Sequence, residues 1–365
     1  MLRSASRRHP TIRCGSLEQI TYGAGGFIII KDEAEAALAL PRTYGIDDLP
    51  IVLTSRRYKA SNQFDLSAAI SPYGDFMLTN GTMNAEVTLP AQFVRLRLLN
   101  AEIERAYNVG FSDGRKFYVI GNDGGLLDAP VAVTRTQLFV GERLEILVDL
   151  TGDKSGAQVD MQAFNGGFPL GFPGGEPAQS GVFGSLLNNK TFNLLHINIG
   201  AATENAITAL PQTLVPNTYW TEADVTKKRT INITDAGPGT PFKFDGQSYN
   251  IDRIDQTINL DAIEQWTIVN NRTFSHTFHI HDVQFKIVSR SSGMIADYEQ
   301  GWKDTVAVPR NESVTFIVRF DDFADAEHPF MYHCHFSNHE DEGMMGQFVV
   351  VRPQTPLRVL QPAPQ

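Results

Sequence analysis

Apolar side chains recur at every second position in short segments, and Gly, Pro, Asn or Asp residues bound these segments along the chain. In Arg143-Leu-Glu-Ile-Leu-Val-Asp-Leu150 the residues Leu144, Ile146, Val148 and Leu150 share one face of an extended strand, and Val314, Phe316, Val318 and Phe320 do the same in Val314-Thr-Phe-Ile-Val-Arg-Phe320. Further strands are expected at Gly26 to Ile30, Leu49 to Thr54, Val94 to Leu98, Lys116 to Ile120, Thr230 to Ile233, Trp266 to Val269, Gln284 to Val288 and Gln347 to Val351. Sustained helical periodicity is scarce. The pattern therefore points to an all-β chain of tandem β-sandwiches with Greek-key connections.

With 365 residues, 42% of them apolar, the chain is long enough for two or three domains with cores of their own. No apolar run reaches the ~18 residues of a membrane-spanning helix, so no membrane segment is expected. A net charge of −10 and a pI near 5.4 argue against nucleic acid or an anionic membrane as partner, because phosphates select basic surfaces. The only cysteines, Cys14 and Cys334, are too few for a disulfide framework. The basic start, Met1 to Pro10, has no apolar stretch behind it, so no export signal is expected and the compartment stays open.

Asn165 to Gly181, rich in Gly and Pro, reads as a long loop, and Gly200 to Thr226, without a clear period, as a domain boundary. The expected division is one sandwich at 45–200, a connection at 201–225, a second sandwich at 226–353 and a tail at 354–365. Residues 1–44 are too short for a sandwich of their own, and Gly23 to Ile30 looks like the last strand of one.

Seven of the nine histidines follow residue 275, and six of them form two motifs, His276-Thr-Phe-His279-Ile-His281 and His333-Cys334-His335 with His339 four residues on. Side chains alternate across a strand, so His333 and His335 point one way and Cys334 the other. One tripeptide thus serves two sites. If the two motifs lie on neighbouring strands, His279, His281, His333 and His335 converge, while Cys334 meets His276 and His339 elsewhere.

Two imidazoles, a thiolate and the weak thioether of Met344 make up a blue-copper donor set, because soft sulfur stabilises Cu(I) while nitrogen still accepts Cu(II). Zinc also binds His and Cys, but has no evident use for a methionine there. A packed core would explain any one of these residues alone. It does not explain six imidazoles, a thiol and a thioether in matched spacing.

At these residues the chain resembles the C-terminal domain of three-domain multicopper oxidases, the group of laccases, cuprous oxidases and spore-coat oxidases. Gly301-Trp-Lys-Asp-Thr-Val306, Leu78-Thr-Asn-Gly81, Arg95-Leu-Arg-Leu-Leu-Asn100 and Gly121-Asn-Asp-Gly-Gly-Leu126 look like the same family. The resemblance implies cupredoxin-like sandwiches, with copper ligands in the second and none in the first. It further implies that His276, Cys334, His339 and Met344 hold a type 1 copper that takes electrons from a small-molecule or metal-ion reductant. His279 would bind type 2 copper, and His281, His333 and His335 the type 3 pair, where O2 is reduced. Cys334, His333 and His335 would carry the electron between the sites. Glu340 resembles the acidic residue that assists proton delivery in some relatives; an ordinary acidic surface run, Glu340-Asp341-Glu342, is the alternative.

The family takes the rest of its cluster histidines from His-x-His motifs of a first domain. Here His9-Pro10 stands in one such motif, with His9 as a candidate type 3 ligand, but Thr11 and Arg13 occupy histidine positions. The expectation is a chain truncated in its first domain, with an incomplete cluster completed, if at all, by water, a second copy or a partner chain. His196 and His328 read as structural or surface residues. Three functions stay open: a multicopper-oxidase-type enzyme acting on phenols, aromatic amines or metal ions; a non-catalytic blue-copper or electron-transfer protein; and a copper-free scaffold.

Overall fold

Strands form at nearly every position where the sequence alternates. The structure, a computed structural model, describes residues 15–65, 73–176, 184–235 and 241–353; His9, Cys14, part of the 165–181 loop and the 354–365 tail lie outside the described residues. Two units make up the chain. The first comprises Leu17–Asn217 and Asp297–Trp302, the second Thr218–Ala296 and residues 303–353 together with residues 15–16.

Residues 17–44, expected as the end of a separate domain, therefore belong to the first unit. So does Asp297–Trp302, which the sequence puts inside the second sandwich. There Gly124 N–H donates to Trp302 O at 2.9 Å, and Asn122 Nδ2 donates to Tyr298 O at 2.8 Å. A Cβ on Gly124 would lie 2.6 Å from Trp302 Cβ, so this close approach requires glycine.

The first unit contains β1 (Asp48–Arg56), β2 (Phe76–Thr79), β3 (Thr82–Met83), β4 (Glu86–Pro90), β5 (Phe93–Asn100) and β6 (Tyr107–Phe111). It continues with β7 (Phe117–Asn122), β8 (Gly125–Val133), β9 (Arg135–Leu138), β10 (Arg143–Asp149), β11 (Gln158–Phe164) and β12 (Thr191–Gly200). A seven-stranded sheet, β3-β2-β1-β5-β10-β7-β8, and a five-stranded one, β4-β12-β11-β6-β9, enclose the core. Leu144, Ile146, Val148 and Leu150 are all buried in it.

The opposite face of β5 and β10 is buried as well, which apolar alternation does not reveal. Arg95 Nε donates to Glu145 Oε2 at 2.7 Å and its Nη1 to Glu35 Oε1 at 2.7 Å, while Arg97 Nη1 donates to Glu145 Oε1 at 2.8 Å and its Nε to Asp48 Oδ1 at 2.6 Å. Burial pushes the Glu35 carboxyl up, but Arg95 and then Arg42 hold it below the ordinary value. Removing one member of such a buried network costs about 3–5 kcal/mol, because a charge is left unpaired.

The second unit contains β13 (Lys227–Thr234), β14 (Lys243–Phe244), β15 (Gln256–Asn259), β16 (Ala262–Asn270), β17 (His276–Ile280), β18 (Phe285–Arg290), β19 (Thr305–Val308), β20 (Glu312–Phe320), β21 (Asp325–Cys334) and β22 (Met345–Val351). Its sheets are β14-β13-β16-β20-β18 and β15-β22-β21-β17-β19. Between them Trp266 stacks on Phe316 at 6.4 Å and meets Tyr332 edge-on at 5.8 Å. In both units, parallel pairs (β1 with β5, β4 with β12, β13 with β16, β15 with β22) stand among antiparallel ones, as long-range Greek-key connections require.

One expected strand is not formed. Gly26 to Ile30 makes only a bridge at Phe27, and Ile28 stays 53% exposed.

Candidate metal centre

Strand register divides the histidine motifs into two groups. β17 and β21 pair antiparallel, with Phe278 opposite Cys334, His279 opposite His333 and Ile280 opposite Tyr332. Tyr332 and Phe278 face the aromatic core, so Cys334 and His276, two residues along, face it too. His279 and His333 lie on the other face.

On the core side, His276 Nδ1 is 3.8 Å and His339 Nδ1 3.7 Å from Cys334 Sγ. His339 arrives there on a short helix, Ser337–Asp341, joined to β21 through His335 and Phe336. The helix ends in a Schellman turn: Gly343 N–H donates to Glu340 O and Met344 N–H to His339 O, both at 2.9 Å, and Gly343 has φ +94°. Cys334 N–H then donates to Met344 O at 3.0 Å, and the Met344 side chain is fully buried.

His276 and His339 are 1% and 6% exposed. Burial, and then the neighbouring His339, holds His276 well below the ordinary histidine value; burial pushes His339 down to about 3. Both rings are thus neutral. Phe336 stacks on His276 at 6.0 Å, Phe274 meets it edge-on at 6.1 Å, and Phe242 approaches at 4.5 Å.

On the other face, ligand atoms of His279, His281 and His333 lie within 4.8 Å of one another, with His281 Nε2 3.3 Å from His333 Nε2. His279 Nδ1 is anchored by Asp304 O at 2.9 Å and Thr305 Oγ1 at 3.0 Å, and His333 Nδ1 by the Cys334 carbonyl at 2.8 Å. Anchoring Nδ1 leaves each Nε2 for the shared space. The His335 ring stands 5.4 Å from that of His279 and 5.5 Å from that of His333, outside the tight trio of ligand atoms.

Glu340 is 2% exposed, so it is no surface carboxylate. Its Oε2 is 3.4 Å from His333 Nδ1, and its Oε1 accepts from Ser16 Oγ at 2.9 Å. His196, in the first unit, pairs with Asp160 at 2.6 Å. His328 lies in β21, exposed and 2.8 Å from Asp325, beside a break in register after Asp325. Sequence reasoning missed the phenylalanine shell, Asp304, Thr305 and Ser16. Only Asp304 and Thr305 had left a trace, inside the Gly301 to Val306 segment.

Residues 221–354 match the family profile described as multicopper oxidase. Over 343 residues the chain is 33% identical to the cell division protein FtsP of Xenorhabdus nematophila, covering 91% of this chain and 67% of that protein. The chain belongs to the multicopper oxidase family. The FtsP of Escherichia coli is 31% identical, over 91% of this chain and 67% of its own length. Among solved structures, a laccase from Pediococcus acidilactici superposes with a TM-score of 0.77 at 30% identity, covering 93% of this chain and 68% of that one. A laccase-like multicopper oxidase from Ochrobactrum sp. does so with 0.79 at 29% identity, covering 94% and 76%. The chain spans about two thirds of the length of the curated relatives it matches.

Multicopper oxidase membership implies copper, and the residues present fit it. A metal with nitrogen at ~2.0 Å and thiolate sulfur at ~2.3 Å, at angles of about 110–120°, keeps each nitrogen ~3.6 Å from the sulfur. The 3.7 and 3.8 Å separations match that spacing.

Proposed function

We propose that this chain is a copper-dependent oxidoreductase that takes single electrons from phenols, aromatic amines or low-valent metal ions at a type 1 site formed by His276, Cys334, His339 and Met344. The observation that carries the reading is the buried trio itself: two neutral imidazoles aimed at one thiol, at metal-sharing distances. Copper, when bound, supplies reversible one-electron exchange and the reduction of O2.

The chain's own residues do the rest. The phenylalanine rings around His276 and His339 exclude water, which keeps the thiolate soft and unhydrated. Cys334 is bonded through the backbone to His333 and His335, so an electron leaving Cys334 has a covalent path to the second group. His279 would hold copper at a type 2 position, and His281, His333 and His335 would hold a type 3 pair. Glu340, close to His333 and held by Ser16, is placed to pass a proton toward that group. Further ligands would come from His9, from a second copy of the chain or from a partner chain.

The names of the curated relatives favour a second reading, a copper-binding or electron-transfer protein with only the type 1 site and a role connected to cell division. Copper quantification with electron paramagnetic resonance and oxygen-uptake measurements separates the two. Several coppers per chain, type 1 and type 2 signals and oxygen consumption support the oxidase. A single type 1 copper without oxygen uptake overturns it in favour of the second reading.

A further inference from the structure

Gln347 sits in β22 on the face turned away from the aromatic core, since its neighbour Phe348 packs inward at 5.6 Å from Phe320. It is nevertheless only 1% exposed. Residues 247–255, between β14 and β15, close over it with their backbone: Gln347 Nε2 donates to Ile251 O at 2.8 Å and to Arg253 O at 2.7 Å, with Asn250 O at 3.4 Å. Its Oε1 accepts from Tyr249 Oη at 3.2 Å. The main chain of the same residue holds the end of the segment, because Asp255 N–H donates to Gln347 O and Gln347 N–H to Asp255 Oδ2, both at 2.9 Å. One glutamine thus pins the whole segment.

The pinned segment reaches the turn that carries Met344. Tyr249 N–H donates to Gly343 O at 3.0 Å, while the N–H of the same peptide group, on Met344, donates to His339 O at 2.9 Å. A peptide group is a rigid plane that ends in the next Cα, here that of Met344. The plane is therefore held at both edges, by a ligand histidine on one side and by Tyr249 on the other. Met344 O in turn accepts from Cys334 N–H at 3.0 Å, so thioether and thiol are tied to one frame.

We propose that Gln347 is a positioning residue for the type 1 site: acting through Tyr249 and the Gly343–Met344 peptide, it fixes where the Met344 thioether stands and so tunes the reduction potential of copper held there. The proposal rests on the type 1 reading above and names what sets its potential. A weak axial sulfur is a lever on such a potential, and a small shift of the donor changes it. Without the amide, the carbonyls of Ile251 and Arg253 lose a buried donor and regain hydrogen bonds from water only if the segment lifts. Lifting draws Tyr249 N–H away from Gly343 O and frees one edge of the peptide plane.

Gln347→Met, which keeps the length and removes the donors, tests this together with Tyr249→Phe, which removes only the hydroxyl tie. Thr267→Val is the control, because it breaks a side-chain hydrogen bond to Thr315, at 2.9 Å, in the other sheet of the unit. In the copper-free protein, hydrogen exchange read by mass spectrometry should accelerate about tenfold in Gln347→Met, both at 247–255 and at 341–345. Tyr249→Phe should do the same to a smaller degree, and Thr267→Val should leave both segments at the rate of the unaltered protein. In the copper-loaded protein, the type 1 potential and the thiolate-to-copper band should shift in Gln347→Met, with the type 2 signal unchanged. Faster exchange at 247–255 alone overturns the link to the turn, and an unchanged potential overturns the tuning. If Gln347→Met does not fold, the same readings on Tyr249→Phe decide. Absence of type 1 copper from the unaltered protein overturns the type 1 reading instead, while exchange at 341–345 still decides whether Gln347 acts on the turn.

Discussion

His339 Nδ1 comes within 3.7 Å of Cys334 Sγ because a one-turn helix, two residues beyond the end of β21, carries the histidine back over the end of its own strand. The trio with His276 thus depends on one thiol at its centre. Cys334→Ser keeps the size of the side chain but removes the soft donor. The expected result is one copper fewer per chain, loss of the thiolate-to-copper absorption band and oxidase activity at background, with an unchanged circular dichroism spectrum. Full turnover in this variant would remove the site from the function.

Both imidazoles of the trio are neutral in the copper-free protein, and this fixes the sign of its pH dependence. Burial lowers His339 to about 3 from an ordinary 6.5, and lowers His276 in the same direction. Between these values the unfolded chain binds protons that the folded chain does not, so folding stability falls as the pH drops from about 6.5 toward 3 and is fully present above that window. Urea unfolding of the copper-free protein should show midpoints falling steadily from pH 7 to pH 4. His276→Phe should flatten part of that slope; an equal slope in the variant would assign the effect to other groups.

The second group has its own support, which can be weakened without touching the first. Thr305, fully buried, holds His279 Nδ1 at 3.0 Å, sharing the task with the Asp304 carbonyl. Thr305→Val preserves the shape and removes one anchor. Metal affinity at the His279 centre should fall by about 10–100-fold, as for other groups that orient a ligand. Chelator titration followed by paramagnetic resonance reads this as early loss of the type 2 signal with the type 1 signal retained. Parallel loss of both would mean that Thr305 acts on the fold instead.

The sequence revealed those parts that obey strict local rules. Two-residue alternation locates β10, β20 and most other strands, and the same rule divides His333 and His335 from Cys334 without reference to any partner strand. Contacts that depend on distant segments left little sign. The burial of Arg95, Arg97 and Glu145 together requires β5 beside β10 and Glu35 brought over both, none of which is encoded in apolar spacing. Phe242 lies 97 residues from His339 in sequence (339 minus 242), and only the pairing of β13 with β14 and the anchoring of Phe244 bring its ring to the imidazoles. Gly26 to Ile30 shows the reverse, an alternating pattern in which only Phe27 forms a bridge.

Gly343 joins fold and site at one backbone position. At φ +94° it closes the turn after the His339 helix, and a Cβ there would meet Tyr249 N at 3.4 Å and Ser248 Cβ at 3.7 Å, ordinary contacts. The cost of Gly343→Ala is therefore backbone strain rather than collision, about 1–2 kcal/mol of stability. Strain at this point acts on the two hydrogen bonds that run from Met344 to His339 and from Cys334 to Met344. The type 1 absorption and paramagnetic signals should shift, while the signal from the His279 side stays as it was. Gly246, at φ +73° in an open turn where an added Cβ would meet nothing within 4 Å, supplies the control. Gly246→Ala should cost a similar amount of stability and leave both signals in place; a shift of equal size in the control would show that strain anywhere in the unit, and not this turn, sets the geometry around Cys334.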